Sequence, residues 1–118
     1  MADETDVSDL AADAREIVVV DDTAKRRFEV QVDSTVAAFT NYRLDDPTTY
    51  AFTHTATEGA FAGQGLATRL IHDTLEQMRA GGFAVLPYCP FVNSYLRKHP
   101  EDLDLVPESE RRRFGLTS

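Results

Sequence analysis

Apolar and polar side chains alternate most clearly at Arg27-Phe28-Glu29-Val30-Gln31-Val32, a period of two that predicts a half-buried β-strand. Ile17-Val18-Val19-Val20 reads either as a strand of its own or as a lead-in, closed by a polar turn at Asp21–Ala24. Val36–Leu44 carries Val36, Phe39, Tyr42 and Leu44 before the turn Asp45-Asp46-Pro47, and Thr48–Thr57 is dominated by β-branched and aromatic residues. The short connections predict an antiparallel meander. The period then changes. From Leu66 to about Ala80, Leu66, Ala67, Leu70, Ile71 and Met78 fall on one side of a helix and Arg69, His72, Asp73 and Glu76 on the other. Thr74 and Gln77 interrupt the apolar stripe, and Gly81-Gly82 predicts a left-handed stop. Phe83–Leu86 reads as a short buried strand, parallel to Thr48–Thr57 because a helical crossover joins them. Pro90 opens a helix over Phe91 to about Lys98 that ends at His99-Pro100, and Pro107–Phe114 forms a last short one. The expected fold is α/β, a mixed and largely antiparallel sheet in the order β-β-β-α-β-α with helices packed on it.

Residues 1–16 are acidic and poor in large apolar side chains, which predicts a flexible tail or a weak helix capped by Ser8. Residues 17–118 form a single domain, because a chain of 118 residues supports one core and not two. A formal charge of −8 leaves no broad basic surface and excludes nucleic acid as the main partner. Acidity weakly favours cationic or amine ligands, although a solvated acidic surface is the better explanation. The single cysteine excludes an internal disulfide and fits a reducing compartment. No apolar run approaches the roughly 20 residues of a membrane span, and the N-terminus is acidic instead of basic and then apolar. A cytoplasmic protein without membrane contact, monomeric or weakly dimeric, is therefore expected.

Candidate chemistry concentrates in three places. Phe61-Ala62-Gly63-Gln64-Gly65-Leu66-Ala67-Thr68 joins a strand to a helix. Its glycines free the turn of side chains, and the first helical amides lack intrahelical acceptors, so Gly63, Gln64, Gly65, Leu66, Ala67 and Thr68 can cradle a phosphate or diphosphate. Glycines also close ordinary strand-to-helix turns. His54 lies near the end of the strand before the cradle, and Cys89 lies just past the end of the strand after the helix. If these strands are parallel neighbours, both residues flank one cleft. Cys89 then reads as an acyl acceptor or general acid, against the alternative of a small buried apolar residue. His54 reads as a general base, against a strand histidine that faces solvent. Asn93 and Tyr95, on the helix after Cys89, could reach the same cleft. The histidines and the cysteine lack metal-ligand spacing, so no metal is assigned.

Taken together, His54-Thr55, Phe61-x-Gly63-Gln64-Gly65-Leu66-Ala67, Pro87-x-Cys89-Pro90-Phe91-Val92 with Tyr95, and His99-Pro100-Glu101 resemble the minimal, single-domain members of the GNAT superfamily of N-acetyltransferases. The match runs from about Phe28 to Val106. This resemblance implies an acetyl-CoA-binding fold in which Gly63–Thr68 holds the pyrophosphate through main-chain amides. The strand end at Ala56 and Thr57 would pair with the pantetheine arm, and His54 and Cys89 would lie close to the thioester. An amide near Ala56–Glu58 would face the carbonyl oxygen during transfer to an amine of a small molecule or protein. The first position of the superfamily's Gln/Arg-x-x-Gly-x-Gly/Ala pattern is Ala62 here, leaving the main-chain amides to do that work. Two other classes remain open: a CoA-binding module without catalysis, and a nucleotide-phosphate binder. The second lacks the lysine and hydroxyl that follow the glycines of a P-loop, since Gly65-Leu66-Ala67 stands there.

Overall fold

The apolar run at Ile17 is a full strand. In the computed structural model, which describes residues 14–116, β1 (Ile17–Asp22) pairs antiparallel with β2 (Arg27–Val32) from Ile17↔Val32 to Asp22↔Arg27. The order is therefore β-β-β-β-α-β-α, one strand longer than the sequence pattern predicts. β3 (Thr35–Asp46) and β4 (Thr49–Thr57) extend the meander. β5 (Ala84–Pro87) joins β4 in parallel, and the sheet order is β1-β2-β3-β4-β5. Most of the acidic segment expected to be flexible, residues 1–13, lies outside the described residues.

Helix α1 (Leu66–Gly81) supplies the crossover, burying Leu66, Leu70, Ile71, Thr74, Leu75 and Met78. Thr74 thus belongs to the apolar stripe it was expected to interrupt. The helix stops at Gly82, whose φ of 72° is left-handed and whose N–H returns to the carbonyls of Arg79 and Met78. Helix α2 (Pro90–Lys98) follows and buries Val92, Tyr95 and Leu96. The segment beyond it is more ordered than a loop: Pro100–Leu105 winds as a 3-10 helix, and a final helical turn covers Glu108–Arg111. Arg79 ties α1 to this segment through Asp102 (2.9 Å) and Asp104 (2.7 Å). No helix among the described residues is long and apolar enough to cross a membrane.

Both helices share one core with Phe28, Val30, Val32, Tyr42 and Phe52 of the sheet. Tyr42 packs against Phe28 (ring centroids 5.4 Å apart) and Tyr50 (4.9 Å). Burial and the adjacent Asp21 carboxylate push the Tyr42 hydroxyl well above the ordinary phenol range, so it remains a donor, bonded to Asp21 at 2.7 Å. The other sheet face is polar. Glu29, although only 3% exposed, accepts from Arg27 Nε (2.7 Å) and Gln31 Nε2 (3.1 Å), and the Arg27 guanidinium lies 4.3 Å from the Phe39 ring centroid. A buried carboxylate held this way keeps its charge balanced.

One irregularity positions the site. Asn41 pairs with His54 but Tyr42 pairs with Phe52, so β4 holds an extra residue, Thr53, in a β-bulge. Strict alternation would set His54 on the face of Phe52. The bulge gives that place to Thr55.

Candidate functional site

β4 and β5 part company before β4 ends. Their pairing runs from Thr49↔Ala84 to Phe52↔Pro87. The chain of β5 then turns away, the Cys89 N–H donating to the Phe52 carbonyl (2.8 Å), and Cys89 becomes the N-cap of α2 with Pro90 at its first position. β4 continues to Thr57, so its edge from Thr53 to Thr57 has no strand beside it on the β5 side. Such an edge offers main-chain donors and acceptors to an extended ligand, as an added strand would use them. Ala56 and Thr57 both lie on it.

Past this edge, a 3-10 turn at Gly59–Phe61 leads to the start of α1. Gly63 (φ 78°) and Gly65 (φ 74°) are left-handed, and a Cβ on either would meet nothing within 4 Å. Backbone conformation, not crowding, requires glycine there. Gly65 is the N-cap of α1, no side chain caps the helix, and its first turn carries no acid. The first intrahelical bond recorded runs from the Arg69 N–H to the Gly65 carbonyl (3.1 Å). Among the described residues the amides of Leu66, Ala67 and Thr68 have no protein acceptor, at the positive end of a 16-residue helix. Leu66 itself is buried, so it brings an amide and not a side chain to this surface. Gln64 accepts from Arg15 Nη1 (2.9 Å), setting a guanidinium beside the cradle that the sequence pattern gives no reason to expect.

The structure does not bring His54 and Cys89 together. Thr55 Oγ1 lies 3.2 Å from Cys89 Sγ and 2.9 Å from Thr40 Oγ1, on the core side of β4. His54 points to the other face, where its exposed ring lies 6.2 Å from that of Phe39. The two residues flank the strand from opposite sides, the bulge at Thr53 having shifted the alternation. Cys89 is buried, with 3% of its surface exposed.

The other expected residues have structural partners. Asn93 uses both ends of its amide, donating to the Phe114 carbonyl (2.9 Å) and accepting from Arg97 Nε (2.7 Å). It anchors the C-terminal segment to α2. Tyr95 stacks on His99, ring centroids 3.9 Å apart, and burial together with the charge of Asp102 raises its pKa. The Glu58 amide is spent on the Ala37 carbonyl (2.8 Å), which removes it as a donor to a ligand. Thr40 was no candidate in the sequence, where it sits in an ordinary strand. Its signal, a threonine directly across from Thr55, exists only once the register is known. Among the described residues, no group of three or more His, Cys, Asp or Glu side chains is gathered as a metal site would need.

A family model described as GCN5-related N-acetyl-transferase matches residues 27–105. The search of curated proteins finds no match. Among solved structures, the chain is similar to the NMR solution structure of a GCN5-like candidate N-acetyltransferase from Staphylococcus aureus. The two share 22% identity over 78% of this chain and 87% of that one, with a TM-score of 0.58. That likeness bears on the fold, a mixed and mostly antiparallel sheet with helices packed on it, as the sequence resemblance implied. The family model spans β2 to β4, the glycine turn, α1 and the Cys-Pro-Phe segment, and on that match the chain belongs to the GCN5-related N-acetyltransferase family.

Proposed function

We propose that this protein transfers the acetyl group of acetyl-CoA to a primary amine. One observation carries the reading: the unpaired edge of β4, Thr53–Thr57, leads into the unpartnered amides of Leu66, Ala67 and Thr68. An extended chain with amide groups that ends in a diphosphate is complementary to that pair of features. The edge would hold the amide-bearing arm, and the helix N-terminus would hold the anionic end. Gly63 and Gly65 leave the approach free of side chains. Acetyl-CoA held there would supply an activated acyl thioester, and Thr53 and Cys89 lie at the notch where β4 and β5 part.

The separation of His54 and Cys89 supports direct attack over a relay through the thiol. In a relay His54 would have to activate Cys89, yet β4 stands between them. For direct attack the separation is useful. His54, exposed on the polar sheet face, is available to take a proton from an amine arriving on that side. Cys89, on the helical side, is available to give a proton to the departing sulfur. The acceptor is a small-molecule or protein amine that approaches the face carrying Phe39, Asn41 and His54.

Titration of 15N-labelled protein with acetyl-CoA, followed by amide chemical shifts, tests the binding mode. The largest changes are expected at Gln64–Thr68 and along Thr53–Thr57. Changes centred instead on the groove between Tyr88, Arg97 and Arg113, with none at the head of α1, would overturn it.

A further inference from the structure

Cys89 ends a chain of three hydrogen-bonding groups inside the protein: Thr40 Oγ1 to Thr55 Oγ1 at 2.9 Å, and Thr55 Oγ1 to Cys89 Sγ at 3.2 Å. Thr40 is fully buried and Cys89 nearly so. Each group brings one hydrogen. A double-acceptor filling, in which Thr55 accepts from both neighbours, leaves its own hydrogen with no protein acceptor among the described residues. A chain that runs one way can be filled in two directions. In one, Thr40 donates to Thr55, Thr55 donates to sulfur, and the thiol hydrogen is left over. In the other, the thiol donates to Thr55, Thr55 donates to Thr40, and the Thr40 hydrogen is left over. Among the described residues the Thr40 hydroxyl has no partner except Thr55. The second direction and the double-acceptor filling therefore each leave an O–H without a protein acceptor, whereas the first leaves only the weak S–H donor unspent. That difference outweighs the small one between an O–H···S and an S–H···O bond.

We propose that Thr55, anchored by Thr40, is the positioning residue of Cys89: it donates its hydroxyl hydrogen to Sγ and leaves the thiol's own S–H unspent, turned away from Thr55. This rests on the acetyl-transfer reading for its use. During transfer the S–H bond of Cys89 breaks as a new S–H bond forms on the departing sulfur of CoA. The resulting Cys89 thiolate keeps the Thr55 hydrogen bond, now charge-assisted and stronger. The amine gives up its proton on the His54 side, and Cys89 regains a proton from solvent, so the cycle closes without another reactant. Thr40 is closed to water, and its hydroxyl holds Thr55 Oγ1 against the sulfur.

The single cysteine makes the test specific, since the S–H stretching band of the whole protein, read by Raman or infrared spectroscopy, reports one thiol. In the wild-type protein without any ligand, the band is expected at the high frequency of a thiol that donates no hydrogen bond. A band lowered by donation, rising in Thr55→Val, would overturn the proposal. The wild-type band alone decides the direction, even if the variant folds poorly. With acetyl-CoA and an amine, Thr55→Val is expected to lower kcat about 10- to 100-fold with KM for acetyl-CoA unchanged, and Thr55→Ser to recover most of it. Unchanged kcat in Thr55→Val would also overturn the positioning role. A non-donating band in a protein that acetylates no amine would instead leave the hydrogen-bond assignment standing and remove the transfer reading.

Discussion

Gly65→Glu is expected to raise the Kd for acetyl-CoA about 100-fold, as read by calorimetric titration. Two costs combine. Gly65 has a φ of 74°, where an L side chain costs roughly 1–2 kcal/mol and the turn relaxes to relieve it. The new carboxylate also sits at the N-cap of α1, where it competes with the diphosphate for the same amides and repels its charge. That second cost is on the order of 1–2 kcal/mol, given the usual strength of charges at a helix N-terminus. At 1.4 kcal/mol per tenfold, the sum approaches two decades. Gly65→Ala carries the strain without the charge and is expected to lose less than about 10-fold, a gap that separates electrostatics from conformation. Since the Cβ enters open space, the variants should keep their circular dichroism spectrum. Binding of Gly65→Glu within threefold of wild type would mean that the diphosphate lies elsewhere.

Cys89→Ala is expected to lower kcat about 100-fold with KM for acetyl-CoA nearly unchanged, the size usual for loss of a positioned proton donor. In the proposed transfer the thiol would act on the departing sulfur, and it lies at the head of α2 and not among the amides of α1. His54→Gln should lose a similar factor through the amine side. Because β4 separates the two residues, intact-protein mass spectrometry during turnover should find no acetyl group on Cys89. An acetyl-Cys89 species that forms and decays at the turnover rate would establish the relay. A Cys89→Ala protein with near-normal kcat would reduce the thiol to a packing residue.

Much of this was legible in the chain. The alternation at Arg27–Val32, the helical period from Leu66 and the Gly81-Gly82 stop translate into β2, α1 and its left-handed cap with little change. The left-handed glycines and the free amides at the head of α1 were legible too, because that geometry belongs to the main chain and the glycines announce its conformation. What the sequence concealed are the places where one residue changes the register. Thr53 looks like any other threonine in a β-rich run, yet as the bulge it sends His54 to one face and Thr55 to the other. The tight β2–β3 turn is built by Asp33 and Ser34, both at positive φ (49° and 73°), with no glycine to signal it. Asn93 looked available because its partners, Arg97 and the Phe114 carbonyl, come from α2 itself and from 21 residues further along the chain. Thr40 and Thr55 acquire meaning only as a pair across two strands.

The claim that stands above the rest is acetyl transfer itself. Its direct measurement is release of free CoA thiol from acetyl-CoA by the wild-type protein, with and without each member of a panel of small amines and amine-bearing peptides, with the acetylated product identified by mass. The account predicts saturable, amine-dependent CoA release for at least one member, abolished along with binding in Gly65→Glu. Tight CoA binding with no amine raising release above background hydrolysis would contradict it, leaving a protein that holds the cofactor without passing the acetyl group on.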